Sequence, residues 1–213
     1  SEMQWSLVCS EMCIRDRFWT HRALWQLLFS GKFDKFPGLK YCVVECGSWW
    51  VGDLLWKADV NFGASWKIKK MSSRMKGLLT KLPSEYFGDS VFIGASTMSR
   101  YEIRERHRNG IDALMWGTDY PHPEGSWPNT VHRLENDFQD VSIEDTRRLL
   151  GLNAIECYDL DVEGLTTVAN RIGPTPEKLN QDPALRTSPT AKRDARWWFD
   201  EYGIEWSGPE NGL

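Results

Sequence analysis

The stretch Ile111-Asp112-Ala113-Leu114-Met115-Trp116-Gly117-Thr118-Asp119-Tyr120-Pro121-His122-Pro123-Glu124-Gly125 decides how the rest of the chain is read. Its first half is a mostly apolar run without strict alternation, the pattern of a parallel strand covered on both faces. Gly110 closes the segment before it, and Gly117 leaves room for neighbouring backbone. The strand is expected to leave the sheet at Asp119. Pro121 and Pro123 then flank His122, fix φ and remove two backbone donors, so the loop has few conformations open to it. An acid and an imidazole on a stiff loop at the carboxyl end of a parallel strand stand where α/β proteins place their chemistry.

Working outward, the segments on either side predict a parallel sheet with crossover helices. Upstream, Thr20 is placed to cap a helix from His21 to about Ser30, with Gly31 as its stop. A strand is expected over Lys40–Glu45, a helix over Trp49–Asn61, a strand over Ser90–Gly94 and a charged helix over Ser99–Asn109. Residues 67–81 are basic and interrupted, and read as a helix-containing connection. Downstream, helices are expected over Trp127–Phe138, Ser142–Leu150, Asn153–Tyr158 and Val162–Ile172, with Gly173-Pro174 as the stop. Strand, helix, strand, helix, strand is the order of an α/β fold with parallel pairing.

The two ends read differently from this body. Residues 1–17 show no sustained period, and Cys9–Arg17 looks like translated adapter sequence, so a loosely packed, non-native or disordered leader is expected there. Residues 18–174 form the body, and 175–213 read as an extended tail rich in Pro, Ser, Thr and charge. Its aromatic patch (Trp197, Trp198, Phe199, Tyr202 and Trp206) suits docking onto the body or onto a second copy in a homo-oligomer.

Composition narrows the function classes. A net charge of −4, from 26 basic and 30 acidic residues, gives no nucleic-acid footprint. No apolar run approaches the roughly 20 residues of a membrane helix, and no signal-peptide stretch opens the chain, so no membrane partner and a cytoplasmic location are expected. Five cysteines without paired spacings argue for reduced thiols, with Cys42 and Cys46 as small core residues. Sequence signatures of serine hydrolases, P-loop and dinucleotide binders and HExxH zinc sites are all absent.

Asp119 is the first candidate for chemistry. An acid at the end of a buried strand is costly unless it is paired or coordinates a metal. It can be a metal ligand, the base that takes a proton from a metal-bound water, or a carboxylate satisfied within its own Asx turn. His122 can donate to Asp119, bind substrate or hold the loop. Glu45 ends a second strand and can face the same mouth or pair with Arg22. His21, at a helix start near that mouth, and Trp116, in the decisive strand, join Glu45 as candidate substrate contacts. Glu124 reads as a loop-bracing acid, and His107 and His132 as residues of solvated helix faces.

The segment Met115-Trp116-Gly117-Thr118-Asp119-Tyr120-Pro121-His122-Pro123-Glu124-Gly125-Ser126-Trp127-Pro128 resembles the strand-eight segment of the amidohydrolase-related family, which includes the aminocarboxymuconate-semialdehyde decarboxylases. The similarity runs back through Phe36-Pro37 and Ser30-Gly31 to His21-Arg22, and forward through Asn153-Ala154 to Arg171-Ile172-Gly173-Pro174. The resemblance implies a (β/α)8 barrel in which Asp119 binds, or works beside, a divalent metal, Zn or Mn. It implies hydrolysis of a C–N or C–O bond, or a nonoxidative decarboxylation, of a small organic substrate. The family's His-x-His pair of strand one and its strand-five histidine have no match here. Where decarboxylase-like members end strand six in histidine, this chain has Glu45.

A whole barrel takes about 250 residues and eight strands, whereas three strands are readable here. The chain is therefore expected to be the carboxyl-terminal part of a truncated barrel. The metal then belongs to the full-length parent, and the chain alone carries an incomplete site at Asp119. The competing reading is a non-catalytic fragment, or an assembly or binding piece. The many tryptophans also leave open an aromatic-rich carbohydrate-binding module.

Overall fold

The structure, a computed structural model, describes residues 17–65, 78–122 and 125–179. The expectations for the leader through residue 16, most of the basic connection, Pro123, Glu124 and the aromatic tail lie outside the described residues. In chain order the elements are α1 (Arg17–Leu28), α2 (Lys32–Lys35), β1 (Tyr41–Val44), α3 (Val51–Ser65), a 3-10 turn (Pro83–Tyr86) and β2 (Val91–Gly94). Then come α4 (Arg100–Arg104), a second 3-10 turn (Ile111–Ala113) and β3 (Leu114–Met115). The last part is helical: α5 (Thr130–Phe138), α6 (Ile143–Arg147), a π-helical turn (Arg148–Leu152), α7 (Asn153–Tyr158), α8 (Val162–Ile172) and α9 (Pro176–Leu179).

The three strands form one parallel sheet in the order β1-β2-β3. Tyr41 pairs with Val91, Val44 with Gly94 and Gly94 with Met115, so the carboxyl ends of all three strands line up at one edge. Successive side chains of a strand point to opposite faces, which divides the sheet's contacts in two. Val43, Val91, Ile93 and Leu114 enter the main core with Leu24, Leu28, Val51, Leu55, Ile103 and Phe138 from the surrounding helices. Phe92, Met115 and Cys42 form a smaller cluster with Cys157 and Ala154 of α7. A strand pattern apolar on both faces is thus explained by two separate sets of partners.

Several boundaries differ from those read in the sequence, and the backbone shows why. The decisive strand is short. Ile111–Ala113 is a 3-10 turn, and only Leu114–Met115 pair with β2 before Ala95 N–H bonds to the Met115 carbonyl and Gly117 N–H to that of Ser96. Thr20 lies inside α1, which begins at Arg17. The expected Ser99–Asn109 helix is regular only over Arg100–Arg104, where Ser99 caps it through a hydrogen bond from the Glu102 N–H. Trp127-Pro128, one of two cis X-Pro bonds with Tyr120-Pro121, precedes α5, which starts later than expected at Thr130. Residues Ser142–Leu150 divide into α6 and the π-helical turn; Ser142 caps α6 by accepting from Asp145 N–H at 3.1 Å.

The carboxyl-terminal helices return to the sheet. Asn153, fully buried at the start of α7, donates its side-chain amide to the carbonyls of Ile111 (2.7 Å) and Leu114 (2.6 Å). That clamp fixes the entry to β3 and hence the direction in which the chain reaches Asp119. At the end of the described chain, Leu179 of α9 is buried and Lys178 pairs with Glu135 of α5 at 3.5 Å. No helix among the described residues is long and apolar enough to cross a membrane.

Candidate metal centre at the strand ends

At the carboxyl edge each strand is followed by a residue in the left-handed region: Glu45 (φ 58°) after β1, Ser96 (φ 54°) after β2 and Asp119 (φ 59°) after β3. For residues with a Cβ this conformation costs on the order of 1 kcal/mol or more, and it persists where the surroundings enforce it. The enforcement is visible in the ladder. Glu45 N–H is bonded to the Gly94 carbonyl at 2.9 Å, so the last rung of the β1–β2 pairing falls on the residue that turns out of the sheet. Gly117 N–H bonds to the Ser96 carbonyl at 3.0 Å, joining the other two turns.

The loop after β3 is built from its own backbone. His122 N–H donates to the Asp119 carbonyl (2.9 Å), Gly125 N–H to that of His122 (3.0 Å) and Ser126 N–H to that of Thr118 (2.8 Å). Gly125 is required at this place. A Cβ there would lie 2.8 Å from the Thr118 carbonyl oxygen, 2.9 Å from that of His122 and 3.0 Å from that of Asp119. Gly117, the glycine singled out in the sequence for close approach, would bring a Cβ no nearer than 3.9 Å to Ser96, an ordinary contact.

This geometry brings Glu45, Asp119 and His122 together, with one potential ligand atom from each lying within 4.8 Å of the others. The His122 Nδ1 stands 3.6 Å from Asp119 Oδ2; the imidazole is exposed and the carboxylate largely covered. Among the described residues, the Asp119 carboxylate accepts no backbone N–H. The turn is closed instead by the Asp119 carbonyl and by the Thr118 hydroxyl, which accepts from Tyr120 N–H at 3.3 Å. An Asx turn therefore does not account for Asp119. Glu45 stands with this pair at the mouth rather than being consumed by a described ion pair.

Two carboxylates and an imidazole are the oxygen and nitrogen donors that zinc and manganese accept. Ligand atoms on one such ion, each about 2.0–2.2 Å from it, lie roughly 3–4 Å apart. A cluster spanning at most 4.8 Å fits this after small side-chain rotations. Glu45, Asp119 and His122 are the residues that would hold the ion.

The remaining sequence candidates lie at two distances from this mouth. His21 of α1 stacks on Trp50, ring centroids 3.7 Å apart, and meets Trp49 edge-on at 6.3 Å, so it packs against the segment that follows Glu45. Burial holds its pKa below the ordinary histidine value. Trp116 is half-buried, packs against the main core and donates its backbone N–H to the Leu149 carbonyl at 2.9 Å. His107 is bonded to Asp145 at 3.0 Å, beside the Arg106–Asp145 ion pair. Burial pushes the Asp145 carboxyl up, but the Arg106 hydrogen bond and charge, with His107, hold it below the usual range.

The support behind the mouth comes from Glu102, a residue outside the sequence candidates. Glu102 of α4, 8% exposed, accepts four hydrogen bonds. Its Oε1 takes Ser48 N–H and Oγ–H, and its Oε2 takes Ser99 N–H (2.9 Å) and Oγ–H (2.9 Å). One carboxylate thus ties the turn after β1 to the helix start after β2. The capping-box pattern Ser99-x-x-Glu102 was legible, but the second pair of bonds, to Ser48, depends on a contact across the fold.

The family model described as amidohydrolase matches residues 16–160, well over half of the chain. The chain belongs to the amidohydrolase family. Its parallel sheet with crossover helices is in keeping with the TIM-barrel-type fold of that family. Among solved structures, the chain is similar to the 5-carboxyvanillate decarboxylase of Sphingomonas paucimobilis. The two are 23% identical with a TM-score of 0.48, and the match covers 64% of this chain and 38% of that one. The amidohydrolase chain described here thus spans well under half the length of that relative. No curated protein matches it.

Proposed function

We propose that this chain supplies the carboxyl-terminal strand ends of a divalent-metal site in an amidohydrolase-type enzyme acting on a small organic substrate. The observation that carries the reading is the convergence of Glu45, Asp119 and His122 at the aligned carboxyl ends of parallel strands. A bound zinc or manganese ion supplies Lewis acidity and lowers the pKa of a water molecule. Asp119 would be one of the residues that hold the ion, or would accept a proton from the attacking water in hydrolysis of a C–N or C–O bond. His122, 3.6 Å from Asp119 and exposed to the mouth, orients the carboxylate and presents a donor to a substrate oxygen. The same acid–imidazole pair serves a nonoxidative decarboxylation: Asp119, having taken a proton from water, gives it to the substrate carbon, the bond from that carbon to the carboxylate breaks and CO2 leaves. Glu45 adds a second negative charge to the ion's surroundings and, with His21 on the packing side of the same turn, limits the substrate's approach.

Two measurements test this. Zinc or manganese titrated into the purified chain is expected to bind stoichiometrically, and Asp119→Asn is expected to weaken that binding about a hundredfold, by loss of a charged ligand. In the full-length enzyme the same substitution is expected to remove turnover. Retained turnover overturns the role given to Asp119. Absence of metal from the chain, with its fold intact by circular dichroism, favours a non-catalytic assembly piece.

A further inference from the structure

A second group of reactive side chains lies on the opposite half of the sheet from the mouth. Cys42 is the second residue of β1, and Cys157 is on α7. They meet in the small cluster with Phe92, Met115 and Ala154, which is separate from the main core. Cys157 is buried and Cys42 half-buried, and neither is in a disulfide. The surrounding contacts hold the two elements together. Tyr158 Oη lies 3.5 Å from Cys42 Sγ, and the Lys40 ammonium donates to the Glu156 carbonyl. Burial, with the neighbouring Cys42 thiol adding to it, pushes the Cys157 thiol up to about 11, and the Lys40 charge opposes this.

We propose that Cys42 and Cys157 are a redox-responsive thiol pair that a small-molecule disulfide closes into a covalent link between β1 and α7. The chemistry balances in two exchanges. Cys42, the more accessible sulfur, attacks as thiolate on one sulfur of the small disulfide; a protein–small-molecule disulfide forms and the first small thiol leaves, protonated by solvent. Cys157 then gives its proton to solvent and attacks the Cys42 sulfur, releasing the second small thiol. Two protein thiols are oxidised by two electrons, and the small disulfide is reduced to two thiols. Burial leaves Cys157 only a small thiolate fraction, so the second exchange is the slower of the two.

The position of this link gives it a consequence. β1 delivers Glu45 to the mouth. α7 begins at Asn153, which clamps the Ile111 and Leu114 carbonyls and so holds β3, the strand that delivers Asp119. A Cys42–Cys157 disulfide therefore ties β1, which carries Glu45, to the helix whose Asn153 holds the entry to β3, and it does so without touching either acid.

Oxidised glutathione is the probe. The full chain is incubated with it under native conditions, quenched with acid, digested without reduction and mapped by mass spectrometry. The expected product is a cross-linked pair of peptides containing Cys42 and Cys157, two hydrogens lighter than their sum and reverted by dithiothreitol. Cys46→Ser is expected to keep the cross-link, and the oxidised chain is expected to unfold at a higher urea concentration than the reduced one. Cys42→Ser is expected to lose both cross-link and shift. A stable glutathione adduct on Cys42, cross-links confined to Cys9, Cys13 or Cys46, or unreacted Cys42 and Cys157 in a folded chain would each overturn the proposal. Mapping of the unsubstituted chain decides the matter even if a serine variant fails to fold.

Discussion

Glu45 lies in the turn that follows β1 and Glu102 of α4 braces that turn from behind, and the two are used in opposite ways. Glu102 is buried and its two oxygens accept four hydrogen bonds, from the backbone and hydroxyl groups of Ser48 and Ser99. Glu45 is exposed, held in a left-handed conformation, and shares the mouth with Asp119 and His122. A carboxylate whose lone pairs are filled by fixed donors is a structural tie, because another partner would have to displace those donors. A carboxylate whose oxygens face another acid and an imidazole at an open mouth is placed to take a cation. The difference separates the scaffold of the site from its chemistry, although the two residues carry the same functional group.

The largest expected effect comes from removing the tie. Glu102→Ala leaves two backbone N–H groups and two hydroxyls without their acceptor, at about 1–3 kcal/mol for each buried group stranded. A loss of about 3 kcal/mol or more in urea unfolding is expected; a loss below about 1 kcal/mol would erase the distinction. Next in size, Glu45→Gln should leave unfolding stability within about 0.5 kcal/mol, as for an exposed position. The same substitution should weaken manganese binding on the order of tenfold, by removing one negative ligand. Unchanged manganese affinity in a titration would take Glu45 out of the site.

The smallest effect concerns pH. Burial lowers the His21 pKa in the folded chain, so the unfolded chain binds a proton at a pH where the folded chain resists it. The stability associated with neutral His21 is therefore present above the unfolded value of about 6.5 and is lost as pH falls through the lower folded value. His21→Gln is expected to flatten the fall in thermal midpoint between neutral and mildly acid pH. An unaltered slope would show that the Trp50 stack does not penalise the imidazolium.

Much of the framework was legible in the residues. Apolar runs of four to six residues separated by helical periods are enough to call for parallel strands with crossovers, because such runs must be buried on both faces. Asp119 and His122 stood out as candidates because an acid after an apolar run is costly without a partner, and the prolines mark a restricted loop. The length of the decisive strand was not readable. Ile111–Ala113 leads into Leu114–Met115 with Asp112 as its one polar residue, and the 3-10 turn it forms is held by the Asn153 clamp from a distant helix. The need for Gly125 was hidden as well, since it arises from three carbonyls that converge only when the loop closes.

By itself, then, the sequence determined which segments are strands, that they pair in parallel, and that an acid and an imidazole stand close together on one restricted loop. Local patterning carries that information, because burial period and backbone restriction are properties of neighbouring residues. Only the tertiary structure decided that Glu45 joins Asp119 and His122, that Glu102 ties the turn behind Glu45, and that Cys42 faces α7. Each of these joins residues far apart in the chain. Each depends on the register of the strands and on the packing of helices over them, which one-dimensional spacing does not encode.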